Sequence, residues 1–251
     1  MKDAIAALAA RIDQAQSMVC FTGAGISTES GIPDFRSPGT GLWSRMRPIP
    51  FREFLTSPQR RRESWQRRFQ GDRQMDQAEP NRGHRVIARW IREGRCDSVI
   101  TQNVDGLHQA SGIPVDKVVE LHGNATYAHC LDCGNRVELT ELEAQFAAQG
   151  DVEACGHCGG IIKTATISFG QPMPEQPMRR AQQLTATCDL FLVAGSSLSV
   201  YPAAAFPEEA GRGGARLAII NREATHLDGA ADLVVHGELG DVLEAVAAQL
   251  G

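Results

Sequence analysis

Short apolar runs separated by amphipathic stretches recur along this chain. Ile5, Leu8 and Ile12 lie at helical spacing, so residues 3–15 are predicted to form an amphipathic first helix. Residues 18–22 then have the length and apolar character of a buried strand, which ends at a glycine. Similar runs of strand length occur at residues 98–101, 118–121, 190–193, 217–220 and 233–235. Because these runs alternate with helical or loop segments, we predict an α/β fold with a parallel sheet covered on both faces.

Two stretches interrupt this alternation and are predicted to be insertions. Residues 36–80 are polar and rich in arginine, with helical pieces and no strand pattern. Residues 125–165 contain two cysteine pairs and several glycines. We therefore predict one unit with a large domain of about residues 1–35, 81–124 and 166–251, a helical insertion and a small cysteine-containing module.

Composition and charge exclude several classes of protein. Of the 251 residues, 42% are apolar and 22% are charged, which is typical of a soluble globular protein. The formal charge of −5 argues against a dedicated nucleic-acid binder, since such proteins are usually basic. The arginines at 60–62 and 67–68 are interpreted as a solvated helix face, and a patch that docks acidic substrates or partners is the alternative. No apolar run of about 18 residues could span a membrane, and no signal-peptide pattern is visible, so we expect a cytoplasmic protein.

A glycine-rich turn follows the first predicted strand at residues 22–27. Such a turn lets a helix N-terminus approach a pyrophosphate closely, with backbone N–H groups facing the anion. Thr28 stands where a dinucleotide fingerprint needs a third glycine, and residues 31–33 break the helix at once. A nicotinamide oxidoreductase is therefore disfavoured, whereas the long loop at residues 34–41 could close over a cofactor.

Polar side chains follow two further predicted strands. Gln102, Asn103 and Asp105 come after the strand at 98–101, where α/β sheets bind ligands. Their donors and acceptors suit a ribose or a carboxamide, although an Asx-type turn explains the same composition equally well. His122 follows the next strand, and a neutral imidazole there can accept a proton near neutral pH, although a lone histidine beside a strand is more often a structural residue.

Four of the seven cysteines form two Cys-x-x-Cys pairs separated by 21 residues. Cys130 with Cys133 and Cys155 with Cys158 predict a closed tetrahedral zinc site, which is structural because it leaves no open position for catalysis. A redox dithiol, free thiols or an iron–sulfur cluster are the alternatives. The other three cysteines, Cys20, Cys96 and Cys188, lie in or beside apolar segments and are predicted to be buried small hydrophobes.

These motifs, in this order and spacing, resemble those of sirtuins over nearly the whole chain. The segment 23–27, followed by 31–36, is similar to the sirtuin loop that folds over NAD, with Phe35 and Arg36 bordering the nicotinamide ribose. The resemblance implies a Rossmann-like large domain and a zinc module directly after the catalytic histidine. The implied NAD contacts are Gly23, Ala24, Gly25, Ser27, Asp34, Phe35, Arg36, Gln102, Asn103 and Asp105, and for the adenosine half Gly195, Ser196, Ser197 and Asn221.

The resemblance also implies an activity and the residues that perform it. His122 matches the catalytic general base, Asn103 and Asp105 match the residues that hold nicotinamide and ribose, and Gln102 lies beside the ribose hydroxyls. The implied reaction is the NAD-dependent removal of acyl groups, chiefly acetyl, from protein lysines, with release of nicotinamide and O-acyl-ADP-ribose. The acyl-lysine protein or peptide would contact Val104, Phe169, Gly170 and Val200. We expect a monomer without membrane or nucleic-acid partners.

Two departures from the family pattern lie in or near the segment expected to bind the substrate peptide. Gln171 replaces a usual glutamate, and residues 163–165 replace a Lys/Arg-Pro-Asp-like stretch. Residues 40–47 contain no tyrosine of the kind that sirtuins favouring acidic acyl groups carry, so acetyl or longer apolar groups are preferred over succinyl. Two other functions stay open from the sequence: an NAD-dependent mono-ADP-ribosyltransferase on the same fold, and a zinc-stabilised binding module without catalysis.

Overall fold

A parallel sheet of six strands forms the centre of the molecule. The computed structural model describes residues 1–34, 47–71 and 73–251. The strands are β1 Met18–Thr22, β2 Ser98–Thr101, β3 Val118–Glu120, β4 Gly123–Cys130, β5 Arg136–Glu138, β6 Ile162–Thr166, β7 Leu190–Ala194, β8 Arg216–Ile220 and β9 Leu233–Val235. The central sheet has the strand order β3-β2-β1-β7-β8-β9, and all of its pairings are parallel, so the predicted α/β fold is confirmed.

Helices cover both faces of this sheet because the strands bury side chains on both sides; every residue of β1 and β7 is buried. The α-helices are α1 Lys2–Gln14, α2 Phe51–Thr56, α3 Pro58–Gln70, α4 Gln74–Gln77, α5 Arg82–Arg92, α6 Leu107–Ala110, α7 Leu139–Gln149, α8 Glu175–Thr187, α9 Ala205–Arg212 and α10 Leu239–Leu250. Short 3-10 helices lie at Ala24–Ser30, Val115–Lys117 and Asp228–Ala230. The first of these matters for function, because it follows β1 directly.

The two faces of the sheet have separate cores. On one face, α1, α5 and α10 bury Leu8, Trp90 and Leu243 against the strands. On the other face, α8 and α9 bury Ala181 and Phe206 against the other side of the same strands. Each fully buried large side chain stabilises the fold by about 1.5–3 kcal/mol. The carboxyl ends of the strands are thereby held rigidly at one edge of the sheet.

The region with the cysteines forms a second, antiparallel sheet in the order β5-β4-β6, and α7 packs on it. Helix α3 belongs to the same small core, since Trp65 and Phe69 are buried there. The ring centroid of Phe69 lies 5.7 Å from that of Phe146 on α7. The prediction of a solvated face holds for Arg62, whose side chain is 62% exposed. It missed the opposite, apolar face, because the residues that cover that face lie about 80 positions later in the chain.

Two smaller expectations concern burial and membranes. Cys20, Cys96 and Cys188 are 0%, 2% and 8% exposed, which confirms that they are buried small side chains. In the part of the chain that the structure describes, no helix has both the length and the apolar character needed to cross a bilayer.

Candidate functional site

A cavity lies where the direction of strand order reverses, between β1 and β7. Successive strands extend from β1 to one side as β2 and β3, and from β7 to the other side as β8 and β9. Open α/β sheets bind ligands outside the carboxyl ends of their strands at such a point. The cavity has a volume of about 550 Å³, within the range of small-molecule and cofactor sites.

Two glycine-rich turns form the floor of the cavity and touch each other. Gly23 and Gly25 follow β1, and Gly195 follows β7. The amide of Gly25 donates to the carbonyl oxygen of Gly195 at 2.9 Å. A Cβ atom on Gly25 would lie 2.8 Å from that carbonyl oxygen, and a Cβ atom on Gly195 would lie 2.6 Å from the amide nitrogen of Ile26. Glycine is therefore required at this close approach, and it leaves bare backbone facing the cavity.

Ser27 connects the first turn to the loop after β2. The Asn103 side chain donates from Nδ2 to the carbonyl oxygen of Gly23 and to the hydroxyl of Ser27, both at 3.1 Å. The Ser27 hydroxyl donates to Oδ2 of Asp105 at 2.7 Å, and the amide of Leu107 donates to Oδ1 at 2.9 Å. Burial raises the pKa of Asp105, and these two hydrogen bonds oppose the rise. The network fixes both side chains in one orientation.

Asn103 lines the cavity, whereas Asp105 and Ser27 lie directly behind the lining. Both Asp105 and Ser27 are buried, at 8% and 1% exposure. The structure thus brings all three predicted side chains together, but of the three only Asn103 is part of the cavity wall. Their predicted contacts with the cofactor stay predictions.

His122 lies on the wall next to this loop. Its Nδ1 is 2.9 Å from the backbone carbonyl oxygen of Gln102. Because a carbonyl oxygen can only accept, Nδ1 carries the proton of the neutral ring and Nε2 is its basic nitrogen. The carbonyl of His122 in turn accepts from the amide of Ile167 at 2.8 Å, which anchors the histidine to the strand end of β6.

The opposite end of the cavity is formed by the ends of β7, β8 and β9. Gln102 donates from Nε2 to the hydroxyl of Ser196 at 2.8 Å, so it bridges the two halves of the cavity. Asn221 follows β8, and its carbonyl oxygen lies 3.0 Å from Nδ1 of His236. Predicted residues on the cavity wall are Gly23, Ala24, Gly25, Asp34, Gln102, Asn103, Val104, His122, Phe169, Gly170, Gly195, Ser196, Ser197, Val200 and Asn221.

Several wall residues were missed from the sequence. Arg222 and Glu223 extend the wall beyond Asn221, and residues 237–239 add a strip at the start of α10. The rule that ligand residues follow strand ends would have found the last group, since it comes directly after β9. Phe35 and Arg36, and residues 40–46 of the stretch that bears on acyl selectivity, lie outside the described residues.

The part of the cavity where the substrate peptide is expected to bind is formed by a turn rather than by a strand. Ser168 and Gln171 close it: the Gln171 amide donates to the Ser168 carbonyl at 2.9 Å, and the Ser168 amide donates to Oε1 of Gln171 at 3.1 Å. Phe169 on this turn and Tyr201 nearby both line the cavity and are 52% and 59% exposed. Gln171, the departure from the family pattern, therefore stabilises its own turn with a neutral side chain.

Lys163, in the other departing stretch, is buried. It is 4% exposed and donates from Nζ to the carbonyl oxygens of Thr164 at 3.3 Å and Thr166 at 2.5 Å. Burial lowers its pKa to about 8. This lysine stabilises the end of β6, which carries the turn at Ser168, and it does not face the cavity.

The four cysteines of the small module converge as predicted. The sulfur atoms of Cys130, Cys133, Cys155 and Cys158 all lie within 4.8 Å of one another. The Cys130–Cys158 and Cys133–Cys155 pairs are 3.5 and 3.7 Å apart. Tetrahedral zinc with Zn–S bonds of about 2.3 Å requires sulfur separations of about 3.8 Å. Backbone amides of Cys133 and Asp132 lower the pKa of Cys130 to about 7, whereas the pKa values of Cys133 and Cys158 are raised by the neighbouring sulfur atoms.

Comparison with known proteins gives a consistent result. Residues 23–202 match the model of the Sir2 family. An NAD-dependent protein deacetylase 1 of Bradyrhizobium diazoefficiens is 52% identical over 243 residues, covering 97% of this chain and 95% of that protein. An NAD-dependent protein deacetylase of Rhodopseudomonas palustris is 53% identical, covering 92% of this chain and 91% of its own. A solved structure of Sir2 with a p53 peptide and NAD+ has a TM-score of 0.85 and 33% identity, with 97% of each chain covered.

Proposed function

The chain belongs to the Sir2 family and is an NAD-dependent protein deacetylase, and we propose that His122, Asn103 and Asp105 carry its chemistry. The observation that carries this proposal is the meeting of the His122 ring and the loop at 102–105 on one wall of the cavity. The 2.9 Å contact from Nδ1 to the Gln102 carbonyl joins them. The base and the residues expected to hold the cofactor are thus fixed relative to each other.

The cavity suits NAD as co-substrate. The touching turns at Gly25 and Gly195 offer backbone without side chains, which lets a pyrophosphate approach closely. Gln102 and Ser196 present amide and hydroxyl groups in the middle of the cavity, and Asn221 does so at the far end. When bound, NAD supplies an anomeric carbon that the acyl oxygen attacks as nicotinamide leaves.

Asn103 and Asp105 act as positioning groups for the nicotinamide and its ribose. Their side chains are held from behind by Ser27 and by the amide of Leu107, so no reorganisation is needed when the reaction begins. The burial that raises the pKa of Asp105 also strengthens every polar interaction in this part of the cavity.

His122 accepts a proton from a cofactor ribose hydroxyl at Nε2. The Gln102 carbonyl holds the tautomer with the proton on Nδ1, so the lone pair belongs to the nitrogen that performs the transfer. A general base of this kind contributes about 10²–10⁴-fold to the rate. One water is consumed when the bond between the acyl group and the lysine nitrogen breaks, and the products are free lysine, nicotinamide and O-acyl-ADP-ribose.

The acyl-lysine peptide is proposed to enter between the turn at Ser168–Gln171 and residues 200–201. Phe169 and Tyr201 are large side chains exposed at this entrance, and Val104 lines the cavity further in. An extended peptide laid between Gly170 and Val200 would cover both aromatic rings and pair with backbone on each side. We further propose that the protein works as a monomer on such peptides.

The zinc ion is proposed to be structural. Its four sulfur ligands leave no open coordination position, and Cys130 and Cys155 belong to the core that Trp65 and Phe69 complete. The ion would therefore hold the small module, and with it β4 and β6, which begin and end beside His122.

Mass spectrometry of an acetyl-lysine peptide, incubated with and without NAD, tests the reaction. We expect NAD-dependent loss of acetyl together with one O-acetyl-ADP-ribose for each acetyl lost. The His122→Ala protein is the matched control and should give neither product. A labelled protein without loss of acetyl would instead indicate an ADP-ribosyltransferase, and no NAD consumption with any acyl peptide would indicate a binding module.

Acyl preference is tested with peptides of one sequence that carry different acyl groups. We expect acetyl and longer apolar groups to be removed faster than succinyl, as the absence of tyrosine at 40–47 predicts. A succinyl rate far above the acetyl rate would reverse this proposal and leave the NAD-dependent reaction itself in place.

A further inference from the structure

A buried chain of polar groups lies beneath the loop that carries Asn103. Thr22 and Thr101 are the last residues of β1 and β2, and they are paired in the parallel register. Their hydroxyls are 2.8 Å apart, and the Thr22 hydroxyl is also 2.8 Å from Nε2 of His108 on α6. All three side chains are at most 2% exposed. Buried polar groups in such a row are costly unless every contact in it is made.

The row ends on the backbone of the loop. The amide of Asn103 donates to the hydroxyl oxygen of Thr101 at 3.0 Å. Thr22 donates to the same oxygen, so the remaining acceptor site of Thr22 receives the proton on Nε2 of His108. The bonds therefore run from His108 through Thr22 to the Thr101 oxygen, which also accepts from the Asn103 amide on its other side. Because the loop changes course directly after β2, the position of the Asn103 amide determines where the side chains of Asn103 and Asp105 are placed.

A second histidine holds His108 in place. His84 at the start of α5 is 0% exposed, and its ring meets that of His108 edge to face at a centroid distance of 5.1 Å. The Nδ1 atom of His84 accepts from the amide of Asn81, whose side chain donates to the carbonyl oxygen of Ile26 at 2.7 Å. The support of the loop after β2 is thus continuous with the support of the 3-10 helix after β1.

We propose that His108 is a positioning residue for the deacetylation reaction, acting through Thr22 and Thr101 on the backbone of Asn103. The proposal rests on the proposed function of Asn103 and Asp105, since it says what keeps those two groups in their working orientation. Burial lowers the pKa of His108 to about 3, so the ring is neutral at working pH and takes no proton from the substrate. The residue contacts neither the cavity nor the reacting atoms.

Threonine-to-valine substitution tests this proposal with little change of shape. Thr101→Val removes the acceptor of the Asn103 amide, and we expect kcat/KM for NAD to fall about 10- to 100-fold, as small misplacements of reacting groups do. Thr101→Ser keeps the hydroxyl and should restore the rate to within about threefold of the parent. Thr185→Val is the matched control, because Thr185 is a buried threonine on α8 whose hydroxyl has no described partner.

His108 is tested with a pair of variants. Glutamine can place an amide donor near the position of Nε2, so His108→Gln should keep most of the rate, whereas His108→Leu should lose as much as Thr101→Val. If His108 acts through Thr101, the double variant of His108→Leu and Thr101→Val loses no more than the larger single loss. Losses that multiply in the double variant would overturn the proposed route.

Amide hydrogen exchange measured by NMR gives a readout that needs no activity. We expect the Asn103 amide to exchange at least about tenfold faster in Thr101→Val and His108→Leu, with unchanged exchange in the strands β1 and β7. Equal exchange and equal kcat/KM in Thr101→Val, Thr101→Ser and the parent would refute the proposal. If the parent removed no acyl group, the function proposal would fail alone, and the exchange data would still decide whether His108 holds the loop.

Discussion

Replacing Gly195 by alanine tests the close approach of the two turns on which the cofactor site is built. Gly195 has a φ of +67°, a left-handed conformation that costs a residue with a side chain about 1–2 kcal/mol. Its new Cβ atom would also lie 2.6 Å from the amide nitrogen of Ile26 and 2.8 Å from the carbonyl carbon of Gly25. Forcing an extra carbon into packed backbone costs about 1–3 kcal/mol more.

Gly94 provides the matched control. It has a φ of +73°, and a Cβ atom built on it would have no atom within 4 Å. Gly94→Ala therefore carries the conformational cost without the steric one, and it lies at the exposed end of α5, away from the cavity. The gain from a stiffer unfolded chain is the same in both variants and cancels in the comparison.

The free energy of unfolding in urea measures both variants. We expect Gly195→Ala to be less stable than Gly94→Ala by about 1–3 kcal/mol at an unchanged m-value. Calorimetric titration with NAD should show weaker binding in Gly195→Ala alone, because relief of the clash separates the turns after β1 and β7. Equal losses of stability together with equal NAD affinities would show that the contact between these turns does not shape the site.

Three further perturbations are informative. His122→Ala is expected to lose at least about 10²-fold in deacetylation while its circular dichroism and NAD affinity stay near the parent values; near-normal turnover would refute the assignment of the base. Removing zinc with a chelator should expose Trp65, because this residue packs in the core that contains Cys130 and Cys155. A red shift of the tryptophan fluorescence together with loss of activity would report this exposure. Unchanged spectra after verified metal loss would contradict a structural ion. Burial lowers the pKa of His108 to about 3 and that of His84 to about 4, below the ordinary 6.5. Below pH 6.5 the unfolded chain therefore binds more protons than the folded protein, and the free energy of unfolding falls as the pH drops. Because an unfolded histidine is only half protonated at pH 6.5, His108→Gln should lose about 2 kcal/mol less than the parent in total between pH 6.5 and 4.5. Urea unfolding measures this difference, and parallel profiles would exclude this account.

Local patterns were sufficient to predict the sheet and the metal site. A strand such as Leu190–Ala194 is apolar along its whole length because both of its faces are covered, and this is visible in any single stretch of sequence. The spacing within each cysteine pair, and the loop after β2, could likewise be interpreted without knowing what lies beside them. The prediction of His122 depended on its order relative to these motifs rather than on its own surroundings.

Contacts between distant segments needed the tertiary structure. The sequence placed a glycine turn after β1 and another after β7, but only the strand order makes these strands neighbours, so that Gly25 meets Gly195. The roles of Ser27 behind Asp105 and of His108 beneath Asn103 depend on the same proximity. Both histidines of the buried row looked like ordinary structural residues in the sequence.

Helix α3 also shows the difference between what a local sequence pattern indicates and what contacts with distant segments decide. Its arginines dominate the local pattern and indicate a solvated helix, and they do form surface ion pairs such as that of Arg62 with Asp151. Trp65 and Phe69 are buried because α7 and the cysteine module, far along the chain, fold back over them. The sequence by itself was enough to predict the strands of the central sheet, the four cysteines of the metal site and the groups proposed to carry the chemistry, since these predictions depend on spacing of a few residues; it did not predict the strands β4, β5 and β6. The tertiary structure decided which of those groups touch, because burial and contact depend on partners that no local pattern contains.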